Sequence, residues 1–491
     1  SIPYWIPAFA GMTRRRKRRG IKPKLHNKIA VEQKTSNFPI LSAVLLTQFI
    51  MPFMFSGITV TLPSMGREFQ ASAIALGLVE IVYLGASGAL MLPFGRIADL
   101  TDKQFIFKVG LLLSTLTTLS LGFATSIEMF IVIRLLQGVT IAMTTATNLA
   151  ILADIYPREK LGRILGIAVG TVYVGLSAGP FIAGFITEWL GWRWIYYLIA
   201  AAMLVAYFQS VSALKGKWKQ PTSPLDWGGG FLAIAILALW IIGSSTLNKG
   251  TMGLIFLVSG ALLVPIFIMV ENRAEAPLLE FNLFPAHPVF TRALIIQLFT
   301  YSGAFGVTFL FSLYLQTVKG FSPQHTGMVL MISPVIMAVM APIFGRLADK
   351  ARPEYLATGG VILTFAGTLL ATGVTAVTAF YTLGVILALQ GMGFGMFTSP
   401  NMKIIMTSID KKHLSIASAL TAQTRSFGMI ISMLLVTLYL SLLMGEAAVT
   451  VETSASYLSV MRYSLISLAG LGAIAIFMSI RQILKKTASL Q

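Results

Sequence analysis

The sequence predicts an all-α polytopic membrane protein, two six-helix bundles with two linker helices between them, fourteen transmembrane helices in all. Three observations predict it. The chain is 56% apolar and only 11% charged, where soluble domains carry about 25% charged residues. Uncharged runs recur along its whole length, each meeting the need for roughly 20 apolar residues per helical span, and none shows the short alternating strands of a barrel. A charged hinge after the second run, Gly95, Arg96, Asp99 and Lys103, returns about 250 residues later as Gly345, Arg346 and Asp349.

Residues 1–36 form a basic cytoplasmic tail with six consecutive cations, Arg14 to Arg19, and Met12 is a candidate start of translation that the sequence leaves open. The first span, about Pro39 to Leu62, carries Gln48 and Pro52; its uncharged run is too long for a signal-peptide core, so it reads as a signal anchor. The second, about Ala71 to Pro93, carries Glu80, and an acid inside a span is costly enough to mark function by default. The third covers Val109 to Ile127, and the fourth, about Glu128 to Ala153, holds Arg134, Gln137 and Gly138. The fifth, about Leu161 to Thr187, contains Gly170, Gly175, Gly179, Pro180 and Gly184; small residues let helices approach closely and the proline kinks the span, which suits a hinge or an interface. A sixth span, Trp194 to Leu214, completes a first bundle over 37–214. A cytoplasmic linker (215–226) leads to two uncharged spans in 227–270, Trp227 to Leu247 and Thr251 to Val270, expected to pack peripherally and outside the pathway. After a cytoplasmic loop (271–288) the second bundle (289–482) has runs at Ala293 to Val318, Gly320 to Gly345, Tyr355 to Met402 (two spans), Ser426 to Gly445 and Tyr463 to Ile480, then a cytoplasmic tail (483–491).

A net charge of +19 would suggest nucleic acid in a soluble protein, but here its distribution speaks of topology, and no nucleic-acid partner is expected. With the N-terminus inside, only Arg67, Arg193, Lys249, Lys319 and Arg462 fall outside, and Arg134 and Arg425 lie within spans. By the positive-inside rule both termini are cytoplasmic, in a plasma (inner) membrane. The basic block enforces that topology and can also meet anionic membrane lipid. The chain has no cysteine, which removes disulfides and thiolate chemistry. Its four histidines, His26, His287, His325 and His413, lie far apart in sequence, so neither a metal site nor a cofactor is expected. No nucleophile with a base, no paired carboxylates and no phosphate loop can be assembled, which argues against an enzyme.

The repeat extends beyond the hinge. Gln137, Gly138, Met143, Thr145, Asn148, Leu161 and Gly175 recur at a constant offset of 253 as Gln390, Gly391, Met396, Thr398, Asn401, Leu414 and Gly428. Parallel repeats of this kind place a substrate between the halves near the midplane, with access alternating by rocking.

From about residue 40 to 480 the sequence resembles the major facilitator superfamily and, within it, the fourteen-helix drug:proton antiporter family of multidrug efflux pumps. Gly95, Arg96, Asp99 and Lys103 resemble the loop motif after helix 2, although that motif's later Gly is Asp102 here. Arg134, Gln137 and Gly138 resemble the helix 4 motif, and Gly170, Gly175, Gly179, Pro180 and Gly184 the helix 5 motif of antiporters. Trp192, Arg193 and Trp194, Asp226 and Trp227, and Tyr314, Leu315 and Gln316 are also similar to that family. The resemblance implies the major facilitator fold and proton-coupled efflux of lipophilic or amphiphilic compounds, with a small molecule and protons as partners and a monomer as the working unit. It also implies a cytoplasmic gate built from Gly95, Arg96, Asp99, Lys103, Gly345, Arg346 and Asp349. One departure stands out: the family's helix 1 acid, about nine residues before the closing Pro63, falls on Met54, and no acid occurs from Thr35 to Gly66.

Glu80 and Arg134 are the candidates to replace that acid as the proton-coupling site. Each lies seven residues inside its span, about 10 Å at 1.5 Å per residue, so the two should be level and able to pair. The matching places in the second half are Leu330 and Leu387. In the plainer reading Glu80 reaches outer water and Arg134 only braces the bundle. Substrate-cavity candidates are the conspicuous polar residues Gln48, Gln137, Asn148, Gln297, Gln390, Asn401 and Arg425, with the aromatics Tyr173, Tyr301 and Phe305. So few polar groups suit an apolar compound better than a sugar. A facilitator or importer on the same fold is the alternative, favoured by the missing acid, and a non-transporting membrane sensor a more distant one.

Overall fold

The computed structural model describes residues 38–156, 158–219, 227–274, 277–279, 281–410 and 413–488. Met12, the basic block at Arg14 to Arg19, and Asp226 lie outside them. Among the described residues 14 helices are long and apolar enough to cross a membrane. They are α1 (Phe38–Phe69), α2 (Ala73–Leu100), α3 (Lys103–Gly122), α4 (Ile127–Ile155), α5 (Arg158–Trp189), α6 (Arg193–Ala213), α7 (Trp227–Ser245), α8 (Thr251–Arg273), α9 (Pro288–Val318), α10 (Pro323–Lys350), α11 (Pro353–Ala371), α12 (Phe380–Thr407), α13 (Leu414–Leu443) and α14 (Ser454–Ala488). The chain is a multi-pass membrane protein of the expected class.

Local chemistry sets several boundaries. Ser72 and Ser126 cap α2 and α4 by accepting the amide hydrogens of Ala75 and Met129. Asp102, the residue that departs from the loop motif, caps α3: its carboxylate accepts from Gln104 N at 2.8 Å and Phe105 N at 3.1 Å. α9 is broken between Ser302 and Gly306 and ends in a π-turn at Tyr314–Val318. At the break a side chain on Gly303 would come within 2.9 Å of the α14 backbone at Leu468 and Gly472, so only glycine lets α9 and α14 approach this closely.

In the first bundle α1 packs on α5 and α6, α2 on α4, and α3 on α4 and α6; in the second α9 packs on α13 and α14, α10 on α12, and α11 on α12 and α14. The sequence repeat is a repeat of contacts. Gln137 Nε2 donates to Thr118 Oγ1 (2.8 Å) and Gln390 Nε2 to Thr368 Oγ1 (3.3 Å). Gly138 lies against Tyr83 O and Gly391 against Ser333 O, while Gly175 lies against Phe49 O and Gly428 against Leu298 O. Gly95 faces Ala146 on α4 as Gly345 faces Ser399 on α12.

In packing, α8 lies at the periphery as expected of both linker spans, and α7 is corrected to an inner position. α8 packs against α7, and only 11% of its span is buried. α7 instead lies on both α2 and α13. Its Ile236, Leu237 and Ile241 are buried, and Ile241 Cδ1 stands 2.7 Å from where a side chain on Gly85 would begin. An uncharged span shows that apolar matter surrounds it, not whether that matter is lipid or protein.

The bundles meet at one end. The hairpins at 70–72, 190–192, 319–322 and 444–453 mark a distal end, and the hinges at Gly95 and Gly345 lie at the proximal one. Among the described residues every hydrogen bond between the bundles lies at or distal to the level of Gly88. Ala73 N donates to Ala447 O (2.9 Å), Ser312 Oγ to Thr59 O (2.5 Å), Gln316 Nε2 to Val60 O (2.8 Å), Trp189 Nε1 to Gln324 Oε1 (3.3 Å), Gln324 N to Glu188 Oε2 (3.0 Å), and Gln423 Nε2 to Gly88 O (2.6 Å). Gly184 and Gly327 seat α5 and α10 on one another's backbones at the same end.

Candidate functional site

Glu80 and Arg134 come together in the core of the first bundle. Their side chains approach to 3.8 Å, and the residues are 2% and 0% exposed. Glu80 therefore does not reach outer water. Thr59 Oγ1 donates to Glu80 Oε1 at 3.3 Å. Arg134 donates from Nε to Val79 O (3.3 Å) and from Nη1 to Gln137 Oε1 (2.7 Å), with its guanidinium 4.0 Å from the centre of the Tyr83 ring. Gln137 passes the chain on, donating from Nε2 to Thr118 Oγ1 and to Met54 Sδ at 3.3 Å. The position left without its acid in helix 1 thus lies at the edge of the same network. Thr59 and Tyr83 complete the site without a sequence signal beyond position: Tyr83 is one turn after Glu80.

The cavity candidates divide. Gln137, Asn148, Gln297, Gln390 and Asn401 are all buried, and they are corrected from cavity wall to ties inside a bundle. Asn148 Nδ2 donates to Thr47 Oγ1 (3.1 Å) across α1 and α4. Its repeat mate Asn401 donates to Ala293 O (3.4 Å) and Gln297 Oε1 (3.3 Å) across α9 and α12, and Gln297 Nε2 to Thr421 O (2.6 Å) on α13. Tyr301 is also buried, its ring 5.1 Å from Phe394. Phe305 stacks on Phe55 of the other bundle at 5.2 Å. Tyr173 on α5 lies within electrostatic reach of Tyr301 and Arg425 across the cleft. Arg425 is exposed and Gln48 half-buried, and neither makes a hydrogen bond or ion pair with a described residue.

Each hinge is tied to its own bundle. Lys103 Nζ lies 3.5 Å from Asp99 Oδ1 and 3.2 Å from Asp154 Oδ2 at the end of α4, and Lys403 on α12 bonds Asp349 Oδ1 at 2.8 Å. Arg96 is half-buried with no hydrogen-bond partner for its Nε, and Arg346 is exposed. In α5, Gly175 and Gly179 press on α1 and Gly184 on α10, Pro180 presents its carbonyl to Gly327, and Gly170 has open space around it.

The histidines are not all dispersed. The proximal loops before α9 and before α13 bring ligand atoms of His287, Asp410 and His413 within 4.8 Å of one another. Two imidazoles and a carboxylate are a set that suits a transition-metal ion. Separation in sequence concealed it.

Residues 44–433 match the sequence profile of the Major Facilitator Superfamily. The chain belongs to that superfamily. It is a transporter and not an enzyme. Among its relatives, the chain is 25% identical to the riboflavin transporter RibZ of Clostridioides difficile over 79% of this chain and 84% of that one. It is 28% identical to multidrug resistance protein 3 of Bacillus subtilis, over 72% and 69%, and 24% identical to the drug efflux pump JefA of Mycobacterium tuberculosis, over 76% and 74%. Its fold matches the crystal structure of a bacterial homolog to the human lysosomal transporter Spinster, inward-facing and unoccupied, with a TM-score of 0.65 at 16% identity, covering 92% of this chain and 98% of that one.

Proposed function

We propose that this transporter exports lipophilic or amphiphilic compounds in exchange for protons by alternating access, with both termini and the proximal end in the cytoplasm. The observation that carries the reading is one-sided closure: among the described residues the two repeats are hydrogen-bonded to each other only from the level of Gly88 outward, which fits a cleft open toward the basic loops. Relatives named as multidrug and drug efflux pumps support export of such compounds. In the opposite state the hinges at Gly95, Arg96, Asp99 and Lys103 and at Gly345, Arg346 and Asp349 meet and close the proximal end.

Glu80 supplies the coupling. As a carboxylate it offsets the cost of burying Arg134; a proton arriving on Glu80 removes that attraction while Arg134 keeps its bonds to Val79 O and Gln137. Protonation thus changes the internal tie between α2 and α4 without unfolding it. In liposomes Glu80→Gln is expected to abolish proton-driven transport while substrate exchange survives; undiminished coupling at normal insertion would remove Glu80 from the mechanism. A second reading, a facilitator that moves its substrate without protons, is favoured by Met54 in the acid's place, and survival of uphill transport in the wild type under a pH gradient alone decides against it.

A further inference from the structure

Arg425 stands eleven residues into α13, about 16 Å of helical rise from its proximal end. It is exposed, in mid-span, with no hydrogen bond or ion pair to a described residue. Its neighbours on the helix fix where it points. Gln423 bonds Gly88 O of α2, and Ser426 packs beside the same glycine. Gly428 presses α13 onto α9, where an added side chain would begin 2.8 Å from Tyr301 Cβ. Arg425 lies between these two faces, and its charge reaches Tyr173 of the opposite bundle. It therefore projects into the cleft and not into lipid.

The repeat does not require it, since the matching place 253 residues earlier is Val172. A guanidinium cannot shed its proton to escape the cost of a low-dielectric site. Nothing else in the cleft can offset it: Glu80 is the single acid deep within the twelve bundle spans, and it is buried against Arg134. A narrow cleft with one uncompensated sign of charge concentrates ions of the other sign. Tyr173 of the opposite bundle lies within reach of its charge, and Phe55 and Phe305 stack on one another across the two bundles.

We propose that Arg425 holds the anionic group of the transported compound, so that the substrate is an amphiphilic organic anion, a carboxylate or sulfonate on an apolar body. The guanidinium takes the anion through paired hydrogen bonds, and aromatic side chains between the bundles, Tyr173 first among them, take the body. This rests on the exporter reading for direction and names its substrate class.

The test uses the whole chain in nanodiscs of zwitterionic lipid, so that the membrane surface selects no sign. Two probes share one body: 11-(dansylamino)undecanoate and the amine that replaces its carboxylate. The wild type is expected to bind the anion about tenfold tighter than the cation, Arg425→Gln to lose that preference, and Arg425→Lys to keep part of it. Thermal melting of each variant reports folding. Equal affinity for both probes in the wild type, or a preference that survives Arg425→Gln, overturns the proposal. The two readings fail separately. Proton-driven export of cationic but not anionic probes would refute the role of Arg425 and leave the exporter standing. An Arg425-dependent preference with no proton-driven movement would do the reverse.

Discussion

A guanidinium with no exposure must look for its partners inside the protein, and Arg134 has a backbone carbonyl, an amide and an aromatic face, while its Nη2 makes no hydrogen bond and meets the Glu80 carboxylate only as an ion pair at 3.8 Å. Removing one member of a buried pair leaves the other uncompensated, at a cost of about 3–5 kcal/mol. Arg134→Met should therefore lower the melting temperature sharply, and adding Glu80→Gln should recover most of the loss, because the orphaned charge goes with it. A double variant no more stable than Arg134→Met would mean that the two side chains are not coupled. The level of Glu80 and Arg134 was legible in the sequence because helical rise is a reliable ruler. The environment of the amides was not. Asn148 and Asn401 tie helices within a bundle, and a polar residue reads the same whether it faces a cleft or a neighbouring helix; which it does depends on the rotation of its helix, set by partners remote in sequence.

At the level of elements, α7 shows what hydropathy leaves open. Its length and lack of charge were enough to identify a span, but Ile241 fills the space over Gly85 at the seam where α2 and α13 pack. Ile241→Ala should leave a cavity there and cost roughly 2–4 kcal/mol. Leu262→Ala on α8, where the side chain is 65% exposed, should cost little. Thermal unfolding of the two variants side by side checks this, and equal losses would return α7 to the periphery. The departure at Asp102 is legible in hindsight: an aspartate before an apolar run is a helix N-cap signal, and the structure uses it as one.

For the whole molecule the constant offset in the sequence announced two like bundles, because the glycines and glutamines that recur are the ones at repeated helix contacts. Which end is shut could not be read, since the contacts inside each bundle are the same whichever way the halves tilt. A chain without cysteine allows a direct check. Cysteines in place of Ala73 and Ala447, whose backbones are bonded at 2.9 Å, should form a disulfide readily, arrest transport and release it on reduction; turnover unaffected by the crosslink would show that the distal end need not open. Of the six distal bonds named above, four put neutral donors on backbone carbonyls and only one, Gln324 N to Glu188, involves a charged group, whereas the proximal hinges bristle with Arg96, Asp99, Lys103, Arg346 and Asp349. Mobile ions screen charges beyond about 8 Å at physiological strength and leave neutral hydrogen bonds nearly untouched. Ionic strength should then act as a thumb on the scale of the transport cycle: added salt loosens the charged mouth but not the neutral one, holding the protein distally shut, and the 73–447 disulfide should form faster as salt rises.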